Sequence, residues 1–277
     1  MIDKTIHSIF KRGSKTYYYS TIFFPKEVKK DVFTLYSFLR KADDYVDAIP
    51  QDVSEFYAFW QRYEMAMKGE MTGDIVVDSF ADLSRLKGFD PLWTNAFLKS
   101  MEMDITISEY ESFDELKKYL YGSSEVVGLF MACIMGLPKE SYNSARYLGR
   151  AMQYMNFIRD IDEDIALGRI YFPKSELRKH GLQGLGLEDA QSNKDGFEAF
   201  IKEQIDVYKS WQVRGEEGYC FIPRRYLIPI RTASDMYTWT GDQIYRDPLV
   251  VYRKKVKPRI PRIVSTIIAN SLRSFRL

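Results

Sequence analysis

Histidine and cysteine are scarce in this chain of 277 residues: His7 and His180 are its imidazoles, Cys133 and Cys220 its thiols. A zinc centre of the usual kind draws on several such side chains, so it is disfavoured from the start. Neither cysteine has a C-x-x-C partner, and both sit among apolar or aromatic neighbours. Both are therefore expected to be buried thiols in a reducing compartment. Glycine (16) and proline (10) are too few for a collagenous or low-complexity chain. With 45% apolar and 15% aromatic residues the chain is not disordered either. A chain of this length hides roughly 75% of its unfolded surface, enough for a sizeable core.

Long apolar runs are missing too. Val126 to Leu137 is the longest, twelve apolar or small residues where a bilayer span needs about twenty. The first turns carry Lys4, His7, Lys11 and Arg12 without the continuous apolar stretch of a signal peptide. The expectation is a cytoplasmic protein, peripheral to a membrane only if its surface docks there. A net charge of +2 is too balanced to imply nucleic acid. The charge is nevertheless uneven, with nine Lys or Arg against the single acid Asp247 from Arg246 onward. Neither a P-loop nor a G-x-G-x-x-G fingerprint is present, so a glycine loop around a nucleotide phosphate is disfavoured.

Helical periodicity fills the space these absences leave. Between Lys26 and Asp47, Val28, Val32, Leu35, Leu39, Ala42 and Val46 recur at three- and four-residue steps. Pro25 stands at the entry of that helix and Pro50 beyond its end. The same pattern predicts helices over Val53–Lys68, Asp114–Met135, Lys139–Ala166 and Phe197–Glu217. Pro173 to about Lys194 reads as the longest irregular stretch. Strand-type alternation is confined to short pieces such as Leu227 to Ile230, which Pro229 interrupts. The prediction is a single all-α domain over residues 1–277, with a basic, proline-broken tail from about residue 246.

The chemical signal lies in two acidic clusters, each on a predicted helix. In Arg40-Lys41-Ala42-Asp43-Asp44-Tyr45-Val46-Asp47, helical spacing brings Tyr36, Arg40, Asp43 and Asp47 to one face. In Asn156-Phe157-Ile158-Arg159-Asp160-Ile161-Asp162-Glu163-Asp164, the shared face carries Gln153, Asn156, Asp160 and Asp164. Acids one turn apart repel by roughly a few tenths of a kcal/mol, so inward-facing pairs need a partner that offsets the repulsion. Oxygen donors without His or Cys suit a hard cation such as Mg²⁺, which commonly bridges protein acids to a phosphate. An acidic run alone is usually a solvated face. Here Tyr17-Tyr18-Tyr19, Phe23-Phe24, Leu35 and Phe38 precede one cluster, and Tyr154, Met155 and Phe157 interleave the other, which favours inward placement.

These residues resemble the phytoene/squalene synthase family of head-to-head isoprenoid synthases. The likeness rests on Tyr36-x-x-x-Arg40-x-x-Asp43-x-x-x-Asp47. It rests more strongly on Gln153-x-x-Asn156-x-x-Arg159-Asp160-x-x-x-Asp164-x-x-x-x-Arg169-x-Tyr171-Phe172-Pro173. Ser14-Lys15-Thr16-Tyr17 and Tyr119-Leu120-Tyr121-Gly122 through Val127-Gly128 extend it over nearly the whole chain. The resemblance implies the isoprenoid-synthase helical bundle with a central cavity, most like a prokaryotic phytoene synthase. It implies Mg²⁺, or Mn²⁺, held by Asp43 and Asp47 on one side and Asn156, Asp160 and Asp164 on the other. Ser14, Lys15, Thr16, Tyr17, Tyr36, Arg40, Gln153 and Arg159 would line prenyl diphosphate substrates. Tyr121 and Tyr245 match aromatic positions of the cavity and count, with the four aspartates, among the catalytic set.

The implied reaction joins two prenyl diphosphates through a cyclopropylcarbinyl diphosphate. Two geranylgeranyl diphosphates giving phytoene is the first expectation; farnesyl diphosphate giving dehydrosqualene or squalene is the second. NADPH enters only if squalene is the product. Asp43-Asp44-x-x-Asp47 also fits chain-elongating synthases, but the second block lacks their second D-D-x-x-D and favours head-to-head condensation. Glu125 is either a buried acid near the cavity or a surface residue, and Gly13 stands where some relatives carry a larger polar residue. The tail, Arg253-Lys254-Lys255 with Lys257, Arg259 and Arg262, reads as a solvated face, a phosphate-gathering rim or a membrane-surface patch backed by Ile260, Ile263, Val264, Ile267 and Ile268. The alternatives of another class are a nucleic-acid binder, in which that tail would dominate, and a catalytically silent helical scaffold.

Overall fold

Helices begin where a short polar side chain stands ahead of an apolar run. Asp52, Asp74, Asp90, Ser112 and Asn193 each accept a hydrogen bond from a backbone N–H of the first turn that follows. The structure, a computed structural model, describes residues 2–13, 18, 21 and 24–274. Its first helices are α1 (Lys4–Gly13), α2 (Lys26–Asp47), α3 (Val53–Met67), α4 (Ile75–Lys87) and α5 (Pro91–Thr106). Next come α6 (Phe113–Leu120), a π turn (Tyr121–Glu125) and α7 (Val126–Ile134). After these follow α8 (Tyr142–Arg159), α9 (Ile161–Ala166), α10 (Lys174–Lys179), α11 (Leu187–Ser192) and α12 (Lys194–Glu216). The chain closes with α13 (Arg224–Arg246), α14 (Val250–Arg253) and α15 (Ile260–Ser274). Pairing of strand type is limited, among the described residues, to one bridge between Glu109 and Ile170.

Buried apolar side chains gather in two large clusters. The first unites α1 to α5 with α7 around Phe33, Phe38, Phe80 and Phe130; Phe38 stacks on Phe80 with centroids 3.9 Å apart. The second unites α6, α8 and α12 with the chain after α9, and Phe157 stacks on Tyr171 at 4.1 Å. Between them lies a cavity of about 380 Å³. The apolar face predicted for α2 is buried at Val28, Val32, Leu35, Ala42 and Val46, while Leu39 lines the cavity.

Several boundaries differ from the sequence reading. The helix predicted from Asp114 to Met135 is interrupted by the π turn, and the one predicted from Lys139 to Ala166 breaks at Asp160 (φ −105°, ψ 17°). Residues 173–194 are not structureless: α10 and α11 form there, and Leu177, Leu182 and Leu185 are buried. Leu227 to Ile230 is helical, with Pro229 in the second turn of α13 and on the cavity wall. The basic tail folds as well, because Ile263 and Ile267 of α15 find Met236 of α13 to bury against. Cys220 is exposed, not buried; Cys133 is half-buried, its Sγ 3.1 Å from the Tyr142 hydroxyl.

The π turn is wedged between α5 and α8 at backbone distance. A Cβ on Gly122 would fall 2.0 Å from the carbonyl oxygen of Ala96, and one on Gly149 would fall 2.3 Å from that of Ser124. Rigid backbone on both sides cannot yield, so overpacking is costly. Gly122→Ala is predicted to destabilise the protein by about 1–3 kcal/mol, read as a lowered melting temperature by circular dichroism.

Candidate active site

One end of the cavity is lined from α2 by Tyr36, Arg40 and Asp43, and from α8 by Gln153 and Asn156. Helical spacing put these five on their two faces; Asp47, Asp160 and Asp164, expected beside them, are not among the residues that line the cavity. Arg40 reaches Asp43 at 2.9 Å and Asp44 at 2.6 Å. One turn further, Asp47 is held by Arg169 at 2.7 Å. On the opposite side Arg159 grips Asp160 through Nε and Nη2 at 2.8 and 2.5 Å. Lys255 also approaches Asp160, at 3.1 Å, and pairs with Glu163. Asn156 donates to Gln153 Oε1 at 3.1 Å, while its own Oδ1 is buried without a hydrogen-bond partner.

The electrostatics follow from this crowding. Burial, then the charge of Asp47, pushes Asp43 up to about 7 against the pull of Arg40. Burial, then Asp160 and Asp47, holds Asp164 well above the usual carboxylate range. Asp160 goes the other way: burial is outweighed by Arg159 and Lys255, and its carboxyl lies below the usual range. Acids from α2 and α9 thus act on one another, which places both clusters in one field. Burial pushes the Tyr36 hydroxyl up, so it stays protonated and able to donate. Among the described residues no three acid, histidine or cysteine side chains form a ready metal cage. An oxygen-only donor set with an unpartnered amide oxygen still suits a cation that takes one or two carboxylates and fills its shell with water and phosphate, as Mg²⁺ does.

Residues 10–262 match the model of the family described as squalene/phytoene synthase. The chain belongs to this family. It is 26% identical over 266 residues to 15-cis-phytoene synthase of Synechococcus elongatus, covering 89% of this chain and 85% of that one. It is 29% identical over 248 residues, 85% of this chain, to the chloroplastic phytoene synthase of an Oncidium hybrid cultivar. It spans only 59% of that plant protein's length. A dehydrosqualene synthase solved with a ligand superposes with a TM-score of 0.84 at 21% identity, over 98% of this chain and 96% of the other. Squalene synthase HpnC from Alicyclobacillus acidocaldarius gives 0.78 at 21% identity, over 88% and 93%. These two likenesses establish the all-α fold.

Within this squalene/phytoene synthase fold, some expected residues stand elsewhere. Tyr121 and Tyr245 do not line the cavity. The Tyr121 ring, at the start of the π turn, packs against the first apolar cluster with Arg146 over it at 5.4 Å. Tyr245 is 38% exposed on α13, with Lys209 and Lys202 over its ring at 5.0 and 5.9 Å. Ser14, Lys15, Thr16 and Tyr17 lie outside the described residues. Glu125 is buried, as one of its two readings held, and accepts from Arg146 and Arg150 at 2.8 Å each. Gly13 packs on Tyr36: a Cβ there would lie 2.4 Å from the tyrosine hydroxyl.

The sequence reading did not single out Asp104, buried on α5, which accepts from the hydroxyls of Tyr171 at 2.7 Å and Tyr119 at 2.8 Å. Burial raises it to about 6 despite the nearby guanidinium of Arg169. Arg169 ties this group together: it donates to Asp47 and to the Val46 carbonyl at 2.5 Å, with Nε 3.9 Å from Asp104. Its signal was present in Arg169-x-Tyr171, quoted as motif but given no role; that of Asp104 was a lone acid between Met103 and Ile105. Arg169→Met should cost about 3–5 kcal/mol by leaving the buried Asp104 without a nearby cation and the half-buried Asp47 without its partner. Asp104, raised to about 6 by burial, has a native pKa above its unfolded one, so its contribution falls as pH rises through that value. The deficit of the variant, followed by thermal melts, should be smaller near pH 5 than near pH 8.

Proposed function

We propose that this chain condenses two prenyl diphosphates head to head, with two geranylgeranyl diphosphates giving phytoene as the first choice. The observation that carries the reading is that Asp43 of α2 and Asn156 of α8 line one apolar cavity, while Asp164 of α9 feels the charges of both Asp160 and Asp47. Magnesium, or manganese, held by Asp43 and Asp47 on one side and Asn156, Asp160 and Asp164 on the other, would supply positive charge to the diphosphates. Arg40, Arg159 and Lys255 stand beside those acids and would neutralise the oxygens that gain charge as a carbon–oxygen bond breaks. Tyr36 would donate to one of them. Leu35, Leu39, Phe97, Met101, Met131 and Ile230 line the same cavity and would exclude water from the allylic cation.

The choice of a C20 donor is supported by the names of the prokaryotic relatives, including 15-cis-phytoene synthase of Enterobacter agglomerans at 26% identity over 94% of this chain. Farnesyl diphosphate giving dehydrosqualene or squalene is the second reading, favoured by the dehydrosqualene synthase fold match. Purified protein with Mg²⁺ and either diphosphate, with and without NADPH, decides between them by mass of the extracted hydrocarbon. A C40 product without NADPH supports phytoene synthesis. A C30 product moves the assignment to dehydrosqualene, or to squalene if it needs NADPH. A longer diphosphate as product, or no turnover by folded protein, defeats the proposal.

Asp160→Asn should lower turnover by about 100-fold or more with the helical spectrum unchanged. Asp43, raised to about 7, must lose its proton before it can hold a cation. Affinity of the protein alone for Mg²⁺ should therefore rise with pH through about 7, measured by titration calorimetry.

A further inference from the structure

Helix α15 has two unlike sides. One buries Ile263 and Ile267 against α13, where Asn270 donates to Thr232 at 3.2 Å and to Asp235 at 2.8 Å. The other exposes Ile260, Val264, Ile268 and Leu272 by 47, 48, 56 and 62%. The residues between them on that side, Pro261, Ser265 and Ala269, are exposed and carry no charge. Large apolar side chains repeat here every four residues along a helix about 22 Å long.

The charge that the chain after Asp247 contributes has one sign. After Asp247 the sequence contains no Asp or Glu and eight Lys or Arg. Lys254 and Arg259 are exposed before the helix, and Arg262 lies over Trp239 at 4.9 Å on its flank. A second copy of the chain brought face to face would set two basic faces against each other. An anionic bilayer offers the opposite charge and an apolar layer beneath it. We propose that α15 docks in the headgroup layer of an anionic membrane, with its four exposed apolar side chains immersed and Lys254, Arg259 and Arg262 at the lipid phosphates. One helix separates this face from the cavity: α13 turns Pro229, Ile230 and Ala233 to the cavity and packs against α15 through Met236. The docking surface does not depend on the condensation reading, and its test uses no substrate.

Full-length protein is floated with vesicles of phosphatidylcholine alone or with about one third phosphatidylglycerol, at about 0.05 M and about 0.5 M salt. Binding is expected on the anionic vesicles at low salt, with release at high salt. Val264→Asp with Ile268→Asp should lower the bound fraction about tenfold in protein of unchanged helical content. Should that variant unfold, Lys254→Glu with Arg259→Glu, at positions exposed before the helix, should give the same loss. Wild-type protein that ignores anionic vesicles overturns the proposal, as does folded variant protein that binds them equally well. Sedimentation showing a dimer that the aspartate pair dissociates overturns it in favour of self-association.

Discussion

Bringing Asp47 and Asp104 close to Asp43, which lines an apolar cavity, and Asp164 close to Asp47, sets like charges against one another where water cannot screen them fully. Much of the local structure answers that repulsion. Arg40 covers Asp43 and Asp44, Arg159 and Lys255 cover Asp160, and Arg169 spans Asp47 and Asp104. Part of the charge is removed by protonation, since Asp43 and Asp104 are raised to about 7 and about 6. Such an arrangement is destabilising in itself, and acids so perturbed cluster at functional sites more often than elsewhere.

The rest of the fold supports this end of the molecule without sharing its chemistry. The two aromatic clusters fix α2 and α8 on opposite sides of the cavity. The π turn lets the chain between α6 and α7 approach α5 and α8 at backbone distance, with glycine at the contact points. The extra residue in that turn rotates the side chains: Ser123 and Ser124 line the cavity and Tyr121 does not.

That rotation marks the limit of what spacing alone reveals. On α2, where the helix is regular, the positions of Tyr36, Arg40 and Asp43 on one face were legible from a period of 3.6 residues. The second cluster was legible as a motif, but not the break at Asp160, where side-chain ties to Arg159 and Lys255 accompany a departure from helical dihedrals. Tyr121 was misplaced because a π turn leaves no mark in hydrophobic periodicity. Tyr245 was misplaced because the face of α13 turned to the cavity is set by its packing on α15, a helix that the charge-rich sequence disguised as a tail. Asp104 was overlooked because its partners, Tyr119, Tyr171 and Arg169, come from elements far from it in sequence.

The tie from Arg169 to Asp47 joins residues 122 positions apart. Contacts of such separation require a large loop to close before they can contribute. In a folding chain, α2 and its aromatic neighbours can therefore pack before the second acid cluster arrives. Asp43, Asp47 and Asp104 already belong to the first half, so docking of the second adds Asp164 to a repulsion that is present and brings Arg169 to offset it.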